Sequence, residues 1–196
     1  RAWRQVTRDR ATFIARAASN LSSAAIFGSI FHRMGRSQAS IQDRLGLLQV
    51  ATINTMMSAL VKTVNVFPRE RLVVDRERAR GGYGAGAYLL AKLAAEAPVS
   101  ALFPALFATV VYPATGLHPS PVRFARFLGI LTLESFAATA LGLAVGAAAP
   151  TPDAAAAIGP ALSVVFLLFG GYYVNAASVP RALRWIEGTS LIKHAF

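Results

Sequence analysis

The sequence contains no cysteine. That excludes a disulfide framework, a thiolate nucleophile and a cysteine-ligated metal within these residues. Charge is also scarce. Asp, Glu, Lys and Arg make up 15% of the 196 residues, where a soluble domain carries about 25%. Acids are scarcer than bases, 9 against 20. No stretch reads G-x-x-x-x-G-K-[ST], so no phosphate-cradling loop of that kind is present. His32, His118 and His194 lie far apart with no acid or ligand cluster nearby, so no metal or catalytic role is assigned to them. No nucleophile–base pair is supported either.

What fills the chain instead is apolar: 55% hydrophobic residues and a mean hydropathy of +0.48. This points to a membrane protein. A crossing helix needs about 20 mostly apolar residues. Ala11–Phe31 is the weakest candidate, interrupted by Arg16, Asn20 and several serines. Leu45–Val61 is uncharged and extends through Lys62 to Phe67. Gly84–Leu117 carries Lys92 and Glu96 early and is uncharged from Ala97 onward. Phe124–Ala149 holds Arg126 near one end and Glu134 inside. Ala154–Val174 is uncharged throughout. The expectation is an all-α, polytopic membrane helix bundle of about five transmembrane helices, with spans near 11–31, 45–67, 84–117, 124–149 and 154–174. The mixed tail "NAASVPRALRWIEGTSLIKHAF" reads as a short amphipathic, interfacial or re-entrant element. Pro98, Pro104, Pro113 and Pro160 lie inside apolar runs, where membrane helices tolerate them better than soluble ones. "ATALG" and "GLAVGAAA" supply small residues that let helix backbones approach closely.

The net charge of +11 fits either nucleic acid or basic loops on the cytoplasmic side of a membrane. Uncharged stretches of 17 to 21 residues argue against a soluble nucleic-acid binder, and none is expected as a partner. Arg1, Arg4, Arg8 and Arg10 share a side with Arg69, Arg71, Arg76, Arg78 and Arg80, and the positive-inside rule makes that side cytoplasmic. Arg33, Arg36 and Arg44 then fall outside, against the rule. "FPRERLVVDRERARGGYG" (Phe67–Gly84) becomes a cytoplasmic loop, 68–83, between the second and third spans. Its acids separate it from a phosphate-binding patch: Asp75–Arg78 and Glu77–Arg80 sit at i,i+3, within reach of pairing on one helical face. A solvated loop and a docking element for a partner both remain open.

Taken in order, four stretches resemble the membrane domain (ABC-2 type) of ABC transporters of subfamily G, the white/breast-cancer-resistance type. They are "IQDRLGLLQVATIN" (Ile41–Asn54), "FPRERLVVDRERARGGYGAGAYLLAKLAAEAP" (Phe67–Pro98), "VVYPATGL" (Val110–Leu117) and "FLLFGGYYVNAASVPRALRWIEGTS" (Phe166–Ser190). The second carries the family's acid-and-base run, Gly-Tyr, second Tyr, Lys and acid before Pro, as Glu70, Arg71, Arg76, Glu77, Gly82, Tyr83, Tyr88, Lys92, Glu96 and Pro98. The resemblance covers nearly the whole chain, as a single domain over 1–196.

It implies a half-transporter that pairs with a second half, as a homo- or heterodimer, with the substrate path between the two. A nucleotide-binding domain, expected on the same native chain, would bind ATP and Mg; this chain has no cofactor site of its own. The family's sixth helix and large external loop have no counterpart here, and the absence of an initiator Met suggests part of something longer. Glu70, Arg71, Arg76 and Glu77 would couple to the nucleotide-binding domain. Asn54, Met57, Val164 and Leu167 fall at substrate-cavity positions, although Asn54 is equally able to bond a neighbouring helix and Met57 to pack in the core. Tyr172 and Tyr173 fall at an extracellular gate, or form part of an aromatic belt. Glu134, an acid inside a span, calls for a partner in Lys62, Lys92 or a serine. Lys92 and Glu96, at i,i+4, read as a local ion pair. The expected function is the permease part of an ATP-driven exporter of lipid-like or amphiphilic compounds, at the plasma membrane or an organelle membrane and surrounded by membrane lipids. The alternative is a non-transporting scaffold that binds a partner.

Overall fold

The computed structural model describes residues 10–35, 39–168 and 190–195. Six α-helices account for almost all of them: α1 (Arg10–Ile30), α2 (Ala39–Ala79), α3 (Ala85–Ala114), α4 (Pro121–Ala148), α5 (Pro152–Leu168) and α6 (Leu191–Ala195). Among the described residues three helical stretches are long and apolar enough to cross a membrane, Ser40–Ala79, Gly86–Ala114 and Pro121–Ala148, and Pro152–Leu168 is a shorter apolar helix. The expected first span is not among them, and the expected fifth, 154–174, lies partly outside the described residues. Arg16, Asn20 and four serines dilute α1, and α5 is described only to Leu168. The expected tail lies mostly outside the described residues.

The largest departure concerns 68–83. Instead of a loop, α2 runs unbroken to Ala79. Its 41 residues, at 1.5 Å each, span roughly 62 Å, about twice the ~30 Å hydrocarbon core of a bilayer. A proline inside a helix removes one backbone hydrogen bond and crowds the preceding turn. Pro68 is accommodated because α4 offers a notch: a Cβ built on Gly146 would lie 2.8 Å from Phe67 Cδ1 and 3.4 Å from Pro68 Cγ. Beyond Pro68, Arg71 and Asp75 pair at i,i+4 with Nε to Oδ2 at 3.6 Å, so Asp75 pairs one turn back on the helix and not forward with Arg78 as expected. The helix stops where Gly81 takes φ +75. Gly81 N–H donates to the Arg78 carbonyl at 2.9 Å and Gly82 N–H to the Glu77 carbonyl at 3.2 Å, the paired bonds of a Schellman ending.

α2 is the central element. One apolar cluster joins Ala24 of α1, Leu47 and Ala51 of α2, Phe107, Ala108 and Val111 of α3, and Leu131 of α4. The other joins Met56, Ala59, Leu60 and Val64 of α2 to Ala138 of α4, Ala155 and Phe166 of α5, and Ile192 of α6. Backbones come close where glycine faces α2. A Cβ on Gly142 would sit 2.7 Å from Thr63 Cβ, and one on Gly159 would sit 2.9 Å from Val64 Cγ2. The small residues noted in the sequence thus form the α2–α4 and α2–α5 seams. At the far end, the Ser190 hydroxyl donates to the Phe166 carbonyl at 3.1 Å and ties α6 to α5.

Gly142→Ala places a methyl against the branched Cβ of Thr63, which cannot swing away as a flexible chain end would. The expected outcome is a loss of about 1–3 kcal/mol from overpacking. It is read as a lower thermal midpoint in detergent, and Thr63→Ser, which removes the opposing methyl, is expected to restore part of it.

Candidate functional site

The charged residues of the second and third helices form one connected chain. Lys62 Nζ donates to Glu96 Oε2 across the α2–α3 gap. Glu96 Oε1 lies 3.7 Å from Lys92 Nζ on its own helix, and Lys92 Nζ reaches back to Glu70 Oε2 on α2 at 2.6 Å. The order is therefore Lys62, Glu96, Lys92, Glu70, with signs alternating and positions crossing twice between helices. The side chains of Glu96 and Lys92 are only 7% and 12% exposed. Taking charges this far from water is costly unless each is paired, and the alternation meets that condition. Arg16 of α1 adds a further cation close enough to feel the Glu96 carboxylate, and its guanidinium lies 4.3 Å from the Phe103 ring centroid. Lys92 and Glu96 do form the local pair expected from their spacing, but each also bridges to α2.

Arg71 has a different task. Its Nη1 donates to the carbonyl oxygens of Ala147 at 2.7 Å and Ala149 at 3.1 Å. These groups belong to the end of α4, where carbonyls lack partners and the helix dipole attracts a cation. Glu77 accepts from the Tyr83 hydroxyl at 2.8 Å, and the Tyr83 and Tyr88 rings stack with centroids 5.9 Å apart. Of the four residues expected to contact a partner, Glu70 and Arg71 thus turn toward the bundle. Arg76 is exposed and Glu77 is half-buried beside Tyr83.

The expected cavity residues lie on two helices that pack against each other. On α2, Asn54 is half-buried and Met57 is 37% exposed. On α5, Val164 is 53% exposed, while Leu167 packs against the cluster that contains Met56 and Phe166. Met57 and Val164 are therefore available to something outside the fold, and Leu167 is partly committed to its core. Tyr172 and Tyr173 lie outside the described residues.

Glu134 does not have the partner expected for it. It is 4% exposed, and neither carboxylate oxygen has a hydrogen-bond partner among the described residues. Lys62 and Lys92 are engaged with Glu96 and Glu70. Gln49 of α2, 1% exposed, likewise has both amide atoms unpaired. Sequence reasoning passed over Gln49, Lys62 as a relay member and Arg71 as a helix-end ligand. Lys62 alone carried a visible signal, as the first charge after an apolar run.

A bundle of long apolar helices, held by an internal charge relay and exposing apolar side chains, defines an integral membrane protein. Its family follows from comparison. The ABC-2 type transporter family matches residues 1–196, and the chain belongs to that family. It is 58% identical over 196 residues to ABC transporter G family member 7 of Arabidopsis thaliana, covering 100% of this chain and 27% of that protein. It is 29% identical over 195 residues to protein white of Drosophila melanogaster, covering 100% and 28%. Over 150 residues it is 36% identical to ABC transporter G family member 25 of Arabidopsis thaliana, covering 76% and 22%. The chain thus spans under a third of the length of these relatives.

Removing one relay partner leaves its neighbour charged and buried. Lys62→Met is expected to cost about 3–5 kcal/mol, the range for breaking a buried pair. The double variant Lys62→Met with Glu96→Gln leaves Lys92 with Glu70 and is expected to recover most of the loss. Unfolding midpoints of the two variants in detergent check the difference.

Proposed function

We propose that this chain is the membrane-spanning permease part of an ATP-driven exporter, a half-transporter of the subfamily G kind. It would move lipid-like or amphiphilic compounds by alternating access. The observation that carries the reading is the family match along all 196 residues, supported by relatives that are themselves named ABC transporters of the G family. ATP and Mg would bind a nucleotide-binding domain outside these residues, and a second half would complete the substrate path. The plasma membrane is the proposed location.

The geometry supports a mechanical route. α2 is one helix from the bundle core to its charged end, so a push at Arg76 and Glu77 would act on a lever rather than on a slack loop. The relay to α3 and the Arg71 contact with the end of α4 would pass that displacement to both neighbours. Met57 and Val164, exposed on adjoining helices, would be covered by the second half. An uncharged lining of this kind suits an amphiphile with a large apolar body. A nucleotide-driven switch also requires that the two states bind nucleotide with different affinity, since only differential binding shifts an equilibrium.

The test is ATP hydrolysis by the full-length protein in lipid vesicles, with candidate sterols and lipids added. Arg76→Ala with Glu77→Ala is the informative variant, because Glu70 and Arg71 hold the bundle and their loss would confound folding with coupling. Substrate is expected to stimulate the wild type, and the variant is expected to fold yet lose about fivefold or more of that stimulation, the low end of coupling between distant sites. Full stimulation in the variant would make this stretch ordinary surface. Absence of any nucleotide-binding domain on the native chain or a partner would replace the transporter reading with that of a scaffold.

A further inference from the structure

Among the described residues two acids are buried, Glu96 and Glu134. Their surroundings are opposite in kind. Glu96 stands between two ammonium groups, whereas Glu134 stands between two apolar clusters. Leu131, three residues before it, belongs to the cluster around Phe107. Ala138, one turn after it, belongs to the cluster around Met56 and Phe166. Both carboxylate oxygens are enclosed without a hydrogen-bond partner.

The level of Glu134 follows from the α2–α4 seam. The two helices run parallel, since Gly142 faces Thr63 and Gly146 faces Phe67 at the same offset. Carried back two turns, that offset brings Glu134 level with Thr55, whose hydroxyl donates to the Ala51 carbonyl. Gln49, the other buried side chain with both polar atoms unpaired, lies six residues before that level, roughly 9 Å along the axis. Lys62 lies seven residues beyond it, roughly 10 Å, and is bonded to Glu96. On α3, Lys92 is held by Glu70 and Glu96. Arg16 of α1 lies beside Glu96 and over the Phe103 ring. On α4 itself Arg123 and Arg126 are exposed, two turns or more before Glu134. α5 carries no charged residue after Asp153 in its first turn. On α6, His194 Nδ1 is 2.8 Å from the Ser190 carbonyl, and Lys193 is engaged as well. None of these groups bonds the Glu134 carboxyl.

A carboxylate enclosed without a cation or a donor is so costly that the group sheds its charge, and an ionisable side chain inside a helical bundle marks a functional site. We propose that Glu134 is a proton-binding site: it holds its proton as a neutral acid while the α2–α4 seam is closed. A state that admits water to the seam lets the proton pass to water and leaves a carboxylate. A proton is then a ligand with different affinity for the two states, and such a ligand shifts the balance between them. The site is formed within these helices alone and is independent of transport.

The test is infrared difference spectroscopy of the full-length protein in lipid vesicles at neutral pH, wild type against E134Q. The expected result is the loss of one carboxylic-acid C=O band with the carboxylate bands unchanged. Loss of a carboxylate band in its place overturns the proposal, as does a spectrum in which no acid band changes. As pH rises, the thermal midpoint of wild type is expected to fall relative to that of E134Q, which has no proton to lose; parallel midpoints overturn the switch between states. Should E134Q fail to fold, wild type decides alone with dicyclohexylcarbodiimide, an apolar reagent that adds to protonated carboxyl groups. The acid proton passes to a carbodiimide nitrogen and the carboxyl oxygen bonds the central carbon, giving an acylurea. Mass spectrometry is expected to find this adduct on Glu134 and not on Glu96 or Glu70, which are held by ammonium groups. Absence of the adduct from Glu134 overturns the proposal.

Discussion

A charge held among apolar helices must find its opposite nearby, and Glu96 meets that requirement for two helices at once. It lies between Lys62 on α2 and Lys92 on α3, and Lys92 passes the connection on to Glu70. Lys62 in an otherwise uncharged run would be untenable without it, since an ammonium far from water is stabilised only by a partner. Two crossings of the same gap also fix more than one contact could. A single bond leaves α3 free to swing about it, whereas bonds near Lys62 and near Glu70, two turns apart, hold both height and tilt. This matters because α2 and α3 share little other contact, and most of the packing of α2 is with α4 and α5.

Elsewhere α2 is held by shape. Gly142, Gly146 and Gly159 bring α4 and α5 so near that an added Cβ would collide, and in lipid such close contact is a main source of helix association. The same seam explains how Pro68 persists in the middle of a 41-residue helix, since its ring occupies space that Gly146 leaves vacant. Many of the buried hydroxyls need no partner across the seam. Thr55, Thr63, Thr139 and Ser163 each donate to the carbonyl four residues back, so they add polarity without demanding a register. Glu134 and Gln49 make no such bond, and the side-chain oxygens of the one and both amide atoms of the other have no partner among the described residues.

These differences decide what could be read from the sequence. Apolar runs announce helices in lipid directly, because length and hydrophobicity are set by the bilayer and not by tertiary detail; the second, third and fourth helices were legible for that reason. Arg16 and Asn20 blurred the first. The charged stretch after Phe67 was misjudged because proline and a dense run of charges are local signals of a loop, while the features that keep it helical, the notch at Gly146 and the Arg71 contacts with the end of α4, lie about 75 residues away in sequence. Lys92 and Glu96 were legible as neighbours on one helix, but their bridges to Lys62 and Glu70 depend on how α3 docks. The isolation of Glu134 was invisible for the same reason: its supposed partners were identifiable, but not that each was already engaged.

Continuity of α2 changes how its charged end relates to the membrane. A loop would absorb displacement by rotating a few backbone dihedrals, whereas a helix resists bending except where a hydrogen bond is missing, and here Pro68 removes one between Arg76 and Lys62. The relay residues lie between those points and connect to α3, while Arg71 connects to the end of α4. Any displacement of the outer segment must therefore move α3 and α4 with it or break a buried ion pair, which is a costly event. These contacts tie the three helices into one block. The exposed Met57 of α2 and Val164 of α5 belong to that same block, since the two helices pack along a glycine seam.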